Sequence, residues 1–210
     1  MPQSVENKAL SAEKNMRKIR GWYKVYYAAV WLASHVLFRF RFIGRENIPD
    51  GSALLCSNHS SNWDVIFASV ALGRNTPLRF TPKAEMKKIP ILGKLMNLIG
   101  VIWIDRSKPS DMAPIRKMLT ALNGGGKVLL FPEGRRIKSD EAEAAKSGAI
   151  MLASKSGAAI VPVYIPRQKK LFGVHTIAFG SAYTLPARMQ GSEERNAQAE
   201  ELMVRIRDLG

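Results

Sequence analysis

Apolar positions change their spacing along this chain, and the changes divide it into parts. Val5, Leu10, Met16 and Ile19 are spaced loosely, as on a helix, within a polar and basic stretch. After Gly21 the run WYKVYYAAVWLASHVLFRF, Trp22 to Phe40, reads as a far more apolar helical segment. Its uncharged part, Val25 to Phe38, would span about 21 Å at a 1.5 Å rise per residue. A bilayer core is roughly 30 Å thick, so the segment falls short of an ordinary membrane span. Trp22, Tyr23, Tyr26, Tyr27 and Trp31 crowd its first half, and Arg17, Lys18, Arg20, Lys24, Arg39 and Arg41 flank it. Aromatics at headgroup depth with cations toward anionic lipid are what an interfacial helix requires. Packing against the rest of the protein is the alternative, and the two are compatible.

From Phe42 onward short apolar runs alternate with longer amphipathic ones. IGRENIPDG is a short strand and a turn, with Pro49-Asp50-Gly51 as the break. Strands are expected at Ser52–Ser57, Leu78–Thr81, Gly100–Ile104, Val128–Phe131, Ala159–Ile165 and Ile177–Phe179. Helices are expected at Trp63–Leu72, Ile115–Leu122, Ala142–Ser156 and Glu193–Leu209. This alternation predicts an α/β fold with a central mixed, largely parallel sheet covered by helices. Residues 1–41 form a helical membrane-docking segment in this reading, and residues 42–210 the α/β domain.

Composition narrows the partner. The chain has 210 residues, a formal net charge of +15 and a pI near 10.2. Such a balance calls for an anionic partner: nucleic acid, an anionic membrane or a phosphorylated substrate. A single cysteine, Cys56, rules out an intramolecular disulfide framework and a cysteine metal cluster. With His35, His59 and His175 as the only histidines, no metal site is expected. The N-terminus MPQSVENK lacks the apolar core of a secretory signal, so the expected location is the cytoplasmic face of a membrane, peripheral or monotopic.

The chemistry concentrates in two islands, NHSSNWD (Asn58 to Asp64) and FPEGRR (Phe131 to Arg136). On an unbroken helix, positions five apart sit roughly 140° from one another, so His59 and Asp64 would not meet. They meet if His59 lies in the loop and Ser60 or Ser61 starts a helix carrying Asp64 in its first turns. Asp64 then accepts a hydrogen bond from one imidazole nitrogen and leaves the other as a base. An imidazole so held can deprotonate a hydroxyl as its oxygen attacks a carbonyl, with the substrate's alcohol in the place of a catalytic serine. Cys56 lies in an apolar strand and reads as a buried thiol rather than a nucleophile. Gly124-Gly125-Gly126-Lys127 lacks the full phosphate-loop pattern and precedes a strand, so it reads as a tight turn. His175 has no partner in the sequence.

NHSSNWD, KAEMKKIPILG, GVIWIDR, FPEGRR and IVPVYI occur in that order, and together they resemble the glycerolipid acyltransferase family, the 1-acyl-sn-glycerol-3-phosphate acyltransferases most of all. The resemblance runs from about residue 45 to 165. It implies transfer of a fatty acyl group from acyl-CoA or acyl carrier protein to a glycerolipid hydroxyl, with no cofactor. His59 stands where that family has its catalytic base, and Asp64 where it has the orienting carboxylate. Arg106 matches an arginine of the second motif, Lys83 a lysine near the same headgroup, and Pro162 falls in the fourth motif. Glu133, Gly134 and Arg136 match a Glu-Gly-Thr-Arg motif, with Arg135 in the place of its threonine. Lys83, Arg106, Glu133, Gly134, Arg135 and Arg136 are therefore the expected acceptor-binding residues, since guanidinium groups suit phosphate oxygens. Gly134 would let the backbone approach the substrate, and Glu133 would position arginines or a glycerol hydroxyl. The implied partners are a lysophospholipid acceptor, the acyl thioester and an anionic membrane surface, with no specific nucleic acid. Glycerol 3-phosphate, another lysophospholipid or an amino-acid lipid remains an alternative acceptor, and a non-catalytic basic membrane- or nucleic-acid-binding protein the alternative class.

Overall fold

A run of apolar residues long enough to be buried on both faces becomes the middle of a sheet, and Ala53–Ser57 is such a run. It forms β2, with every residue buried. The structure, a computed structural model, describes residues 2–105, 107–108, 110–137, 145–187 and 191–210, and the side chains of residue 14 and of those from 16 onward. In chain order the elements are α1 (Pro2–Leu37), β1 (Arg39–Ile43), β2 (Ala53–Ser57), α2 (Trp63–Leu72), β3 (Leu78–Arg79), α3 (Pro90–Leu98), α4 (Ala113–Asn123), β4 (Lys127–Leu130), α5 (Gly148–Ser156), β5 (Ala159–Tyr164), β6 (Val174–Phe179) and α6 (Ser192–Arg207). The strands form one sheet in the order β1-β6-β5-β2-β4-β3. β5, β2, β4 and β3 run parallel, β6 is antiparallel to β5, and β1 is parallel to β6. The mixed, largely parallel α/β sheet expected from the alternation is present.

Successive side chains on a strand point to opposite faces, so each central strand feeds two cores. Leu55, Leu129, Val161 and Val163 join Tyr23, Phe38, Phe67 and Ala71 on the α1–α2 side. Leu54, Cys56, Val128 and Ile160 join Met118, Ile150, Leu202 and Ile206 on the α4–α5–α6 side. Full burial of one such Leu or Ile side chain stabilises by roughly 1.5–3 kcal/mol. Burial pushes the Cys56 thiol well above its ordinary value and leaves it inert, as its place in the strand suggested.

Several boundaries differ from expectation. One helix runs through Gly21, and it stops at Leu37 instead of Phe40. Arg39-Phe40-Arg41-Phe42 alternates with period two and pairs with β6, so the sheet begins before residue 42. Gly100–Ile104 is not a full strand. Ile102 and Ile104 donate to the carbonyls of Phe80 and Pro82 at 3.0 and 3.1 Å, and a single bridge joins Ile104 to Lys83 before a 3-10 turn at Ala84–Lys88 ends the pairing. α3 was not expected; its Leu92, Leu95, Met96 and Leu98 are half-buried, and Gly93 is its one buried residue. The helix expected from Ala142 is observed from Gly148, and residues 138–144 lie outside the described ones.

Candidate active site

In an open α/β sheet the loops leaving the carboxyl ends of parallel strands converge on one edge. Here β2 ends into Asn58-His59, β4 into Phe131–Ile137 and β5 into Ile165–Lys170. Asn58 ties two of these ends together. Its amide donates to the Ile165 carbonyl at 2.7 Å, and its side-chain oxygen accepts the Ile165 N–H at 2.9 Å.

His59 lies in the loop, and Asp64 sits in the first turn of α2, fully buried. Ser61 Oγ accepts the Trp63 N–H at 3.2 Å from the turn before the helix, but the N-cap is Asn62, so neither expected serine occupies that position. His59 Nδ1 lies 2.8 Å from Asp64 Oδ2. An ionised carboxylate only accepts, so Nδ1 carries the proton and the Nε2 lone pair is left as the basic position. The Phe131 ring stacks on the imidazole, with centroids 3.9 Å apart and planes 14° apart. Phe131 and Asp64 together fix both the plane and the rotation of the ring.

Asp64 is held from every side. Its Oδ2 also accepts the Ser60 and Ser61 N–H groups at 2.7 and 2.8 Å. The Lys169 ammonium donates to Oδ1 and, at 2.6 Å, to Ser60 Oγ. Burial by itself would raise the Asp64 carboxyl; the His59 bond, the Lys169 charge and the backbone donors more than offset it, and the group lies below the usual carboxylate range. Lys169 is pushed below the ordinary lysine value, by burial first, with Asp64 opposing.

The second island reaches the first through Glu133. Its Oε2 accepts the His59 N–H at 2.8 Å, and its Oε1 accepts from Arg167 at 2.9 Å. The Ile137 N–H donates to the His59 carbonyl at 2.8 Å, so the loop after β4 grips the histidine main chain on both sides. Glu133 is 2% exposed with both oxygens engaged, and it holds an arginine, one of the two roles expected of it. The arginine it positions is Arg167. Gly134 holds a left-handed φ of +69°, and a Cβ there would come within 2.7 Å of the Lys146 side chain. The left-handed φ is what requires glycine at this turn.

The expected cations are placed unequally. Arg136 is exposed and donates to Asn62 Oδ1 at 2.7 Å, beside the start of α2. Arg135 next to it is exposed. Lys83 is exposed at the carboxyl-end side of β3, two strands from β2, and touches neither His59 nor Asp64. Arg106 lies outside the described residues. Arg167 and Lys169 were missed by the sequence reading. Their only signal is IPRQKK, a basic cluster following an apolar strand, which looks like any solvated loop until it folds back on Asp64. Among the described residues no three His, Cys, Asp or Glu side chains converge as metal ligands.

The fold and the histidine–aspartate pair define an α/β protein in which a half-buried imidazole is held on a buried carboxylate. A family model described as Acyltransferase matches residues 39–166, and the chain belongs to that family. It is 32% identical over 143 residues to the chloroplastic 1-acyl-sn-glycerol-3-phosphate acyltransferase of Arabidopsis thaliana, covering 66% of this chain and 39% of that protein. It is 33% identical over 138 residues to the 1-acyl-sn-glycerol-3-phosphate acyltransferase of Pseudomonas aeruginosa, covering 64% of this chain and 52% of that one. The chain thus spans about half the length, or less, of these relatives. The crystal structure of the 1-acyl-sn-glycerophosphate acyltransferase from Thermotoga maritima shares the fold, with a TM-score of 0.65 at 23% identity over 92% of this chain and 77% of that one. Arg167 and Lys169 fall just past the matched range.

Proposed function

We propose that this protein transfers a fatty acyl group from a thioester, on coenzyme A or acyl carrier protein, to the free hydroxyl of 1-acyl-sn-glycerol 3-phosphate, forming phosphatidate. The observation that carries the reading is the His59–Asp64 pair, with Nδ1 bound to a buried carboxylate and Nε2 left basic. Nε2 takes the hydroxyl proton as the alcohol oxygen bonds to the thioester carbonyl carbon. The tetrahedral intermediate collapses, the carbon–sulfur bond breaks, and the departing thiolate takes the proton back from the imidazolium. Asp64 balances the imidazolium charge throughout. The names of the relatives in plant plastids and bacteria favour lysophosphatidate as acceptor. Arg136 and Arg135, at the rim beside α2, are suited to its phosphate, with Lys83 contributing from the β3 side and Arg106 as a further cation of the resembled motifs.

The reaction takes place at an anionic membrane surface, on its cytoplasmic face, with the protein bound peripherally or monotopically. No described helix is long and apolar enough to cross a membrane. α1 nevertheless exposes Trp22, Val25, Ala29, Leu32 and Val36 at helical spacing while its opposite face buries Ile19, Tyr23 and Ser34. Leu171, Phe172 and Val174 are exposed close by, where the Phe172 N–H meets the Leu37 carbonyl at 2.6 Å. This apolar stripe, flanked by cations, has the chemistry of an interfacial anchor.

The test is thiol release from palmitoyl-coenzyme A with and without lysophosphatidate, beside a His59→Ala sample. Release that requires both the acceptor and His59 is expected, with the variant down by about 10²–10⁴-fold. Near-normal turnover by His59→Ala would sink the general-base assignment. Arg135, which replaces a threonine of the resembled motif, favours a parallel panel of acceptors: glycerol 3-phosphate, other lysophospholipids and an amino-acid lipid.

A further inference from the structure

The edge of the sheet opposite His59 holds a cavity of about 1210 Å³. It opens where three parallel strands begin: Pro49 and Asp50 precede β2, Pro77 precedes β3, and Gly124 to Gly126 precede β4. His59 follows the other end of β2, and five extended residues separate the two ends by about 16 Å. The N-terminal half of α1 forms one side of the cavity, with Ile19 among its wall residues, and Leu72 and Val101 add further apolar surface.

Two cations in this wall are buried: Arg79 is 8% exposed and Lys127 is 4% exposed. Neither forms an ion pair with a described carboxylate. Lys127 donates to the carbonyls of Pro49, Asp50 and Gly51, which occupies its three N–H groups. The Asp50 side chain, exposed on the wall, acts on Lys127 through its charge. Arg79 donates to the Gly100 carbonyl at 2.7 Å and to the Met16 sulfur at 3.2 Å, contacts that leave other guanidinium donors over. Room for the guanidinium is built into the backbone: Gly100 has a φ of +74°, and a Cβ there would fall 1.7 Å from Arg79 Nη1. Lys18, Arg20, Lys94 and Lys117 stand exposed around the mouth.

A buried guanidinium without a counter-ion is costly, and burial pushes Arg79 below its ordinary value. An anion bound in the cavity would offset that cost. The planar fork of an arginine backed by several ammonium groups suits a multivalent oxyanion better than a single carboxylate. We propose that this cavity is a second anion site, binding a phosphate group with Arg79 as its buried anchor. The apolar wall accepts an amphiphile, so the phosphate can be free or carried on a lipid headgroup. The inference stands independently of the acyl-transfer reading, because no residue of the cavity touches His59 or Asp64.

Isothermal titration calorimetry on the full chain tests it in two arms, one with inorganic phosphate and one with short-chain, soluble dihexanoyl phosphatidate. Arg79→Gln removes the anchor, and Lys94→Glu with Lys117→Glu reverses the mouth while leaving the packed residues intact. Lys155→Glu with Arg207→Glu, on exposed positions of α5 and α6, matches the charge change elsewhere. Losing a charge-assisted hydrogen bond should weaken one class of site about tenfold or more. The mouth variant should do so even if Arg79→Gln fails to fold, and the α5–α6 variant should not. Loss in both arms marks a site for phosphate as such, and loss in the phosphatidate arm alone marks a headgroup site. Equal weakening by the α5–α6 variant, or binding lost only in Arg136→Gln, would overturn the proposal.

Discussion

Asp64 has more assigned partners than any other side chain at the candidate site, and its environment makes a definite pH prediction. Its carboxyl lies below the usual range in the folded protein, so it contributes stability above its unfolded value of about 3.9, and that contribution is lost as pH falls through the folded value. Asp64→Asn should therefore lower stability at neutral pH by about 2 kcal/mol, the scale of a charge-assisted hydrogen bond. The deficit should begin to shrink in denaturant titrations below about pH 4, where the unfolded wild-type carboxyl takes up its proton, and vanish below the lower folded value. A deficit that stays constant from pH 7 to pH 3 would contradict this. Lys169→Met should cost a similar amount, about 2 kcal/mol, and lower kcat with KM little changed. Lys169→Arg, which keeps the charge, should recover part of kcat; recovery of stability alone would mean that Lys169 is structural. His59 and Asp64 were legible from spacing once a loop and a serine-started helix were assumed. Lys169 and Arg167 were not, because nothing local ties a basic cluster in a loop to carboxylates 105 and 34 residues earlier.

At the scale of elements, α1 has two faces of different character. Tyr23 and Ile19 are buried against the domain, whereas Leu32 and Val36 are 62% and 63% exposed. Leu32→Glu with Val36→Glu should markedly reduce sedimentation with anionic vesicles and change Tm little, since neither residue leaves the core. Tyr23→Ala should instead destabilise by about 3 kcal/mol, as expected for a large buried ring. Vesicle sedimentation unaffected by the paired glutamates would remove the docking role. The N-terminal region read as helical, but its end did not: β1 takes Arg39–Ile43 because β6 offers a parallel partner, and pairing outweighs the helical continuation of the preceding run. α2 was readable to both ends because its apolar run follows directly on the serine-rich turn.

Across the whole molecule, the net charge of +15 makes binding to anionic surfaces salt-dependent. Raising salt from about 0.05 to 0.5 M shortens the Debye length from roughly 14 to 4 Å and should release much of the vesicle-bound protein, the remainder being held by the apolar stripe. Binding unchanged across that range would assign docking to apolar contact alone. The sequence by itself determined the α/β class, the strands that carry both cores and the pairing of His59 with Asp64, because alternation, apolar runs and turn residues act over a few positions. Tertiary structure alone decided that Glu133 grips the His59 main chain, that Lys169 neutralises Asp64, and that two buried cations face a cavity at the far edge of the sheet. Each of those contacts joins loops or strands distant in sequence. Their formation depends on strand order and burial, which local patterns do not encode.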